Sequence, residues 1–142
     1  MRIVVDTNVI VSALLKAGSV PERALEAILA MSTVLIDERV IAEYTAVLDR
    51  PKFGAIDRMR IAALLAEVRA RGVAVPHAGT RMIPAALRDP SDACFVELAL
   101  AGSADAIVTG NIKDFPPDLG FEVLPPATIL ARLGGPLGPA AK

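Results

Sequence analysis

Four acids occupy positions where charge is expensive: Asp6, Glu43, Asp92 and Asp114. Asp6 ends the apolar, β-branched run Ile3-Val4-Val5, which suits a strand buried on both faces. Spacing residues at 100° places Glu43 on a helix face with Val40, Ala46 and Val47. The same spacing aligns Asp92 with Phe95, Val96 and Ala99. Asp114 follows a second apolar run, Ala106–Thr109, in the loop beyond its carboxyl end. A buried carboxylate without a cation or strong donors costs several kcal/mol. Two acids from strand ends and two from inward helix faces can meet at one sheet edge, where a divalent cation offsets their repulsion. The oxygen-only donors, with no His or Cys nearby in sequence, point to Mg²⁺ or Mn²⁺ rather than Zn²⁺. Metals held this way activate water and stabilise charge during phosphoryl transfer.

Each position also has a plainer reading. Asp92, at the third helical position, gains from the helix dipole by about 0.3–1 kcal/mol. Glu43 can pair with Arg39 one turn earlier, and Asp114 can be an ordinary turn residue. Asp89, before Pro90, reads as a helix N-cap, and Asp105 as a solvent-facing strand-edge acid. Asn8 is either an N-cap or a site donor. Thr109 is either a strand residue or a hydroxyl that orients Asp6 or a water. His77, in a Pro/Gly loop, reads as solvated, and Cys94 as a small helix residue without chemistry.

The elements that must carry these residues alternate between strand and helix. A strand at Ile3–Val5 leads to a helix over Val9–Leu15, and Ser19-Val-Pro-Glu22 has capping-box spacing for a helix through Ala30. Thr33–Ile36 reads as a strand, Asp37 as the cap of a helix over Glu38–Asp49, and Arg50–Gly54 as a break. A helix over Ile56–Arg71, closed by Gly72, precedes a strand at Val73–Val75 and a loop over Pro76–Arg88. A helix then runs from Asp89 to about Gly102, followed by strands at Ala106–Thr109 and Phe121–Leu124 and a last helix over Ala127–Leu133. This alternation predicts an α/β fold whose central parallel sheet of about five strands is covered on both faces. Residues 1–133 read as one domain and the Gly/Pro-rich residues 134–142 as a loose tail.

Composition narrows the rest. With 142 residues, 54% hydrophobic, 4% aromatic and no Trp, the core must be built from Ala, Val, Ile and Leu. No apolar run approaches the roughly 18 residues of a membrane span, and the N-terminus does not read as a signal peptide. A single cysteine excludes an internal disulfide and fits a reducing cytoplasm. A net charge of −1 argues against binding nucleic acid by bulk charge, which leaves local basic patches or bound cations to do so.

The four acids sit in segments that resemble a known family. Val4-Val-Asp6-Thr-Asn8-Val resembles the opening of PIN domains. Arg39-Val-Ile-Ala-Glu43-Tyr with Arg50-Pro-Lys-Phe53 resembles their second segment, and Arg88-Asp-Pro-Ser-Asp92 with Phe95-Val-Glu-Leu-Ala their third. Ala104-Asp-Ala-Ile-Val-Thr109-Gly-Asn-Ile-Lys-Asp114-Phe resembles the fourth. The resemblance runs in order from residue 1 to about 130 and is nearest to prokaryotic PIN proteins described as toxins of toxin–antitoxin pairs. It implies a three-layer α/β/α fold and Mg²⁺- or Mn²⁺-dependent ribonuclease activity. By position it makes Asp6, Glu43, Asp92 and Asp114 the metal-binding acids, with Asn8 and Thr109 in support. Many relatives carry Asp where this chain has Asn111, so a second metal site is in question. The family also implies a homodimer and a cognate antitoxin.

The leading expectation is therefore an endoribonuclease holding RNA near Arg39, Arg50, Lys52, Arg88 or Lys113. Single-stranded RNA is expected, because A-form duplex is read mainly by shape and the few aromatics leave little for base stacking. A non-catalytic module that binds RNA or protein is the alternative; loss of one of the four acids would favour it, and all four are present. A phosphatase using Asp6 as nucleophile ranks last, because Asp-Thr-Asn lacks a second Asp two residues on.

Overall fold

The structure, a computed structural model, describes residues 1–76 and 92–134. Five strands form one sheet in the order β3-β2-β1-β4-β5, and every pairing is parallel. In chain order the elements are β1 (Arg2–Val5), α1 (Thr7–Leu15), α2 (Val20–Met31), β2 (Thr33–Ile36), α3 (Glu38–Leu48) and α4 (Arg58–Arg71). β3 (Val73–Ala74), α5 (Ala93–Ala101), β4 (Ala106–Val108), β5 (Glu122–Leu124) and α6 (Pro126–Gly134) follow. Short 3-10 turns at Pro51–Phe53 and Ile112–Asp114 interrupt the connections after α3 and β4.

Successive strand residues face opposite sides of a sheet, and Ile3, Val4 and Val5 are all essentially inaccessible to solvent. Both faces at β1 are therefore covered. Ala106, Ile107 and Val108 of β4 repeat the pattern. Helix α5 packs on β1, β2 and β4 and touches α3, while α2 packs with α1 and α6. The apolar run at the start of the chain is buried because it is the middle of the sheet, flanked by β2 and β4.

Local chemistry explains most helix starts. Ser19 Oγ accepts from Glu22 N at the head of α2, while the Glu22 carboxylate reaches Gly18 N. Asp37 accepts from Val40 N and starts α3. Asp57 accepts from Met59 N, so α4 begins two residues later than the expected Ile56. Ile56 is instead buried in the core. At the first helix the expected boundary is wrong: α1 starts at Thr7, the cap position is Asp6, and Asn8 lies inside the helix. The helix expected from Asp89 is described only from Asp92 onward, and the readings of His77, Arg88, Asp89 and the tail beyond Gly134 fall outside the described residues. Among the described residues no helix is long and apolar enough to cross a membrane.

Candidate metal and nucleic-acid site

Strand order reverses around β1, whose neighbours β2 and β4 leave toward opposite edges. Open parallel sheets bind ligands at such a point, beyond the carboxyl ends of the strands. β1 ends there with Asp6, and β4 with Thr109. Asp6 N donates to Val108 O across the two strand ends (2.9 Å), fixing the Asp6 backbone against β4.

The Asp6 side chain is held by residues from both strand ends. Thr109 Oγ1 donates to Asp6 Oδ2 (2.7 Å), and Asn8 Nδ2 reaches the same oxygen and Thr109 Oγ1, each at 3.2 Å. Asn8 Oδ1 accepts from Gly110 N, and Thr109 Oγ1 accepts from Asn111 N. Asn8 is thus a bridge between α1 and the β4 loop rather than a cap. As the second residue of α1 it supplies both an amide donor and an acceptor where the two strand ends diverge.

Asp6, Glu43, Asp92 and Asp114 line one cleft of about 440 Å³. Asp6 and Asp92 are buried, and Glu43 and Asp114 are half-buried. On α5 the expected inward face holds, because Phe95, Val96 and Ala99 are all buried. On α3 it holds for Val40 and Val47, whereas Ala46 turns out to solvent. Burial, and then the charges of Asp114 and Glu43, push the Asp6 carboxyl above its ordinary range against the lowering effect of its hydrogen bonds. The charges of two partner acids are therefore felt at Asp6.

As placed, no three such groups among the described residues form a ready coordination shell. The acids stand around a common space. The donor set nevertheless suits a hard, oxygen-seeking cation. A further oxygen is at hand in Thr7 Oγ1, which is buried, lines the cleft and has no hydrogen-bond partner among the described residues.

The basic residues divide. Arg50 and Lys52 line the cleft with Phe53, and the Lys52 ammonium lies 5.1 Å from the Phe53 ring centroid. Arg39 does not reach the cleft; it donates to Glu97 of α5 and lies 3.7 Å from Asp37. That engagement also replaces the expected Arg39–Glu43 pair. Lys113 is exposed and is not part of the cleft lining, and Arg88 falls outside the described residues. Asp105 lies at the opposite, amino-terminal end of β4, exposed, and accepts from Arg2 N. Cys94 is packed against the core, and burial pushes its thiol up to about 12.

Two contributors escape sequence reasoning. Thr7 is one, masked by its more conspicuous neighbours. The other is Tyr44, fully buried, whose hydroxyl donates to Val5 O beside Asp6. Its signal is the one tyrosine of the chain placed directly after Glu43.

No curated protein matches the chain. A family model described as PIN domain matches residues 2–113, from the first residue of β1 to the residue before Asp114. The parallel sheet, the gathering of acids at its carboxyl edge and a match over most of the chain place this protein in the PIN domain family, a nuclease-type fold.

Proposed function

We propose that the cleft is the active site of a metal-dependent endoribonuclease that hydrolyses phosphodiester bonds in single-stranded RNA. The observation that carries this reading is the common cleft: four acids from four separate segments line one space at the sheet's switch point. Asp6, Asp92 and Asp114 would hold Mg²⁺ or Mn²⁺, with Glu43 binding the ion or its water shell. A cation bound there supplies a lowered pKa for the attacking water and offsets charge on the phosphoryl oxygens. The chain's own residues do the positioning. Thr109 and Asn8 hold one oxygen of Asp6, leaving the carboxylate fixed rather than free to rotate. Asn8 also ties α1 to Gly110, so the segments bearing Asp6 and Asp114 keep their separation. Arg50 and Lys52 supply positive charge at the rim for the RNA backbone.

The finer biological reading is a toxin of a toxin–antitoxin pair, acting in the cytoplasm as a homodimer restrained by a partner protein. One feature supports a partner. A groove of about 280 Å³ runs between α1, α2 and α4, with Leu14, Leu25, Leu29 and Leu64 along it and Glu22, Glu26, Glu67 and a single cation, Arg60, beside them. An apolar groove flanked by acids suits a basic amphipathic segment. The single, protonated Cys94 is compatible with a reducing compartment.

The metal part is tested by calorimetric titration of Mn²⁺ into the wild-type protein and into Asp92→Asn. Binding that weakens at least about tenfold in the variant supports the reading. Equal binding, or none in either protein, moves the weight to a non-catalytic RNA- or protein-binding module. The toxin part is tested by induced expression in a bacterial host: growth arrest by the wild type and not by Asp6→Asn is expected.

A further inference from the structure

The cleft extends beyond its four acids. Its remaining lining follows the same helix faces away from the acids. Val11 and Leu15 lie one and two turns beyond Thr7 on α1, and Val47 lies one turn beyond Glu43 on α3. Residues four apart share a helix face, so each turn carries the wall about 5–6 Å further from the acidic end. The Pro51–Phe53 turn closes this wall with the Phe53 ring. Leu15, an aliphatic side chain in a cleft with four acids, is 59% exposed.

Cationic charge arrives on the same wall. Arg50 and Lys52 line it, and neither forms an ion pair among the described residues, whereas Arg39, Arg58, Arg69, Arg71 and Arg132 all do. The turn that presents them is braced: Phe53 N donates to Arg50 O, and the Arg58 guanidinium reaches both Leu48 O and Phe53 O. A cation standing over an aromatic ring, beside aliphatic surface and next to acids, matches one ligand chemistry closely. A nucleotide presents a phosphate and, one sugar away, a flat base whose π-face can stack on an aromatic ring.

We infer that this wall is a nucleobase subsite: Phe53 and Leu15, backed by the buried Val11 and Val47, receive the base of the nucleotide next to the cleaved phosphate, and Arg50 and Lys52 its phosphate. The inference rests on the ribonuclease reading for its ligand and for the role of Arg50 and Lys52, and assigns to Phe53 and Leu15 a specificity element that the reading does not contain. It also modifies the expectation that aromatics are too few for stacking, since one of the chain's four phenylalanines lines the site itself.

The test is binding rather than turnover. A short fluorescein-labelled single-stranded RNA, and versions with one base removed at each position in turn, are titrated in EDTA and followed by anisotropy. Wild-type protein should bind the intact RNA, and removing one particular base should weaken binding at least about fivefold. Phe53→Ala should weaken the intact RNA by a similar factor and should abolish the penalty for removing that base. Leu15→Ser, at an exposed position where folding is not at stake, should act in the same direction; thermal melts confirm that Phe53→Ala is folded. Unchanged affinity in both variants would overturn the subsite, as would a base penalty that persists in Phe53→Ala, or a failure of the wild type to bind RNA. A protein that shows the coupled base effect yet never cleaves RNA would keep the subsite and refute the nuclease, so the two can fail separately.

Discussion

The hydroxyl of Tyr44 donates to the backbone carbonyl of Val5, 2.5 Å away, so the residue after Glu43 anchors the residue before Asp6. Both groups are buried, and the bond joins α3 to the carboxyl end of the central strand. Two of the four acids are thus set relative to one another by a single hydrogen bond between their neighbours.

Removing that hydroxyl leaves a buried carbonyl without its donor, at a cost of about 1–3 kcal/mol. Tyr44→Phe should lower the denaturation midpoint accordingly and leave the m-value unchanged. Because the ring stays, its packing against Phe95 should persist. A midpoint equal to wild type would show that the bond contributes nothing.

Thr109 tests orientation separately from charge. Thr109→Val keeps the size of the side chain but removes the donor to Asp6 and the acceptor for Asn8 and Asn111. Losing a group that orients a ligand typically costs about 10–100-fold in metal affinity or activity. Thr109→Ser, which retains the hydroxyl, should recover most of it. Full activity in Thr109→Val with a loss in Thr109→Ser would assign Thr109 to packing alone.

Asp6 carries a stability cost in the metal-free protein. Burial, with the charges of Asp114 and Glu43, raises its folded-state pKa above 3.8. The folded state therefore binds the proton more tightly than the unfolded state, and stability falls as pH rises from the unfolded pKa through the folded one. In EDTA at neutral pH, Asp6→Asn should melt higher than wild type, with the difference vanishing as pH drops below about 4. A lower melting point for the variant at neutral pH would mean that its hydrogen bonds outweigh the burial of its charge.

Cys94 should be chemically silent. With its thiol pushed up to about 12 by burial foremost, almost no thiolate exists at neutral pH. Alkylation by iodoacetamide should track global unfolding rather than proceed in the native protein. Rapid labelling of folded protein would show a thiol far more readily ionised than its half-buried setting implies.

Much of this was legible in sequence because charge in an apolar run is conspicuous. Asp6 after three β-branched residues, and Asp92 in line with Phe95, Val96 and Ala99, mark a buried strand end and a buried helix face without reference to any contact. What pattern cannot supply is partner choice. Asn8 suits a helix cap and a bridging amide equally well, and only the approach of the β4 loop decides between them. Arg39 flanks an acidic segment in sequence, yet the neighbouring helix α5 offers it Glu97, which draws it away from the cleft. Phe53 reads as part of a helix break, and its place in the cleft wall depends on how that turn folds back.

In the proposed reaction this cleft hydrolyses RNA with a metal held by its acids. The most direct measurement is cleavage of a labelled single-stranded RNA by wild-type protein with Mn²⁺, by the same protein with EDTA, and by Asp6→Asn with Mn²⁺. Cleavage is expected in the first case alone. Cleavage that survives EDTA, or that Asp6→Asn performs as well as wild type, would contradict it.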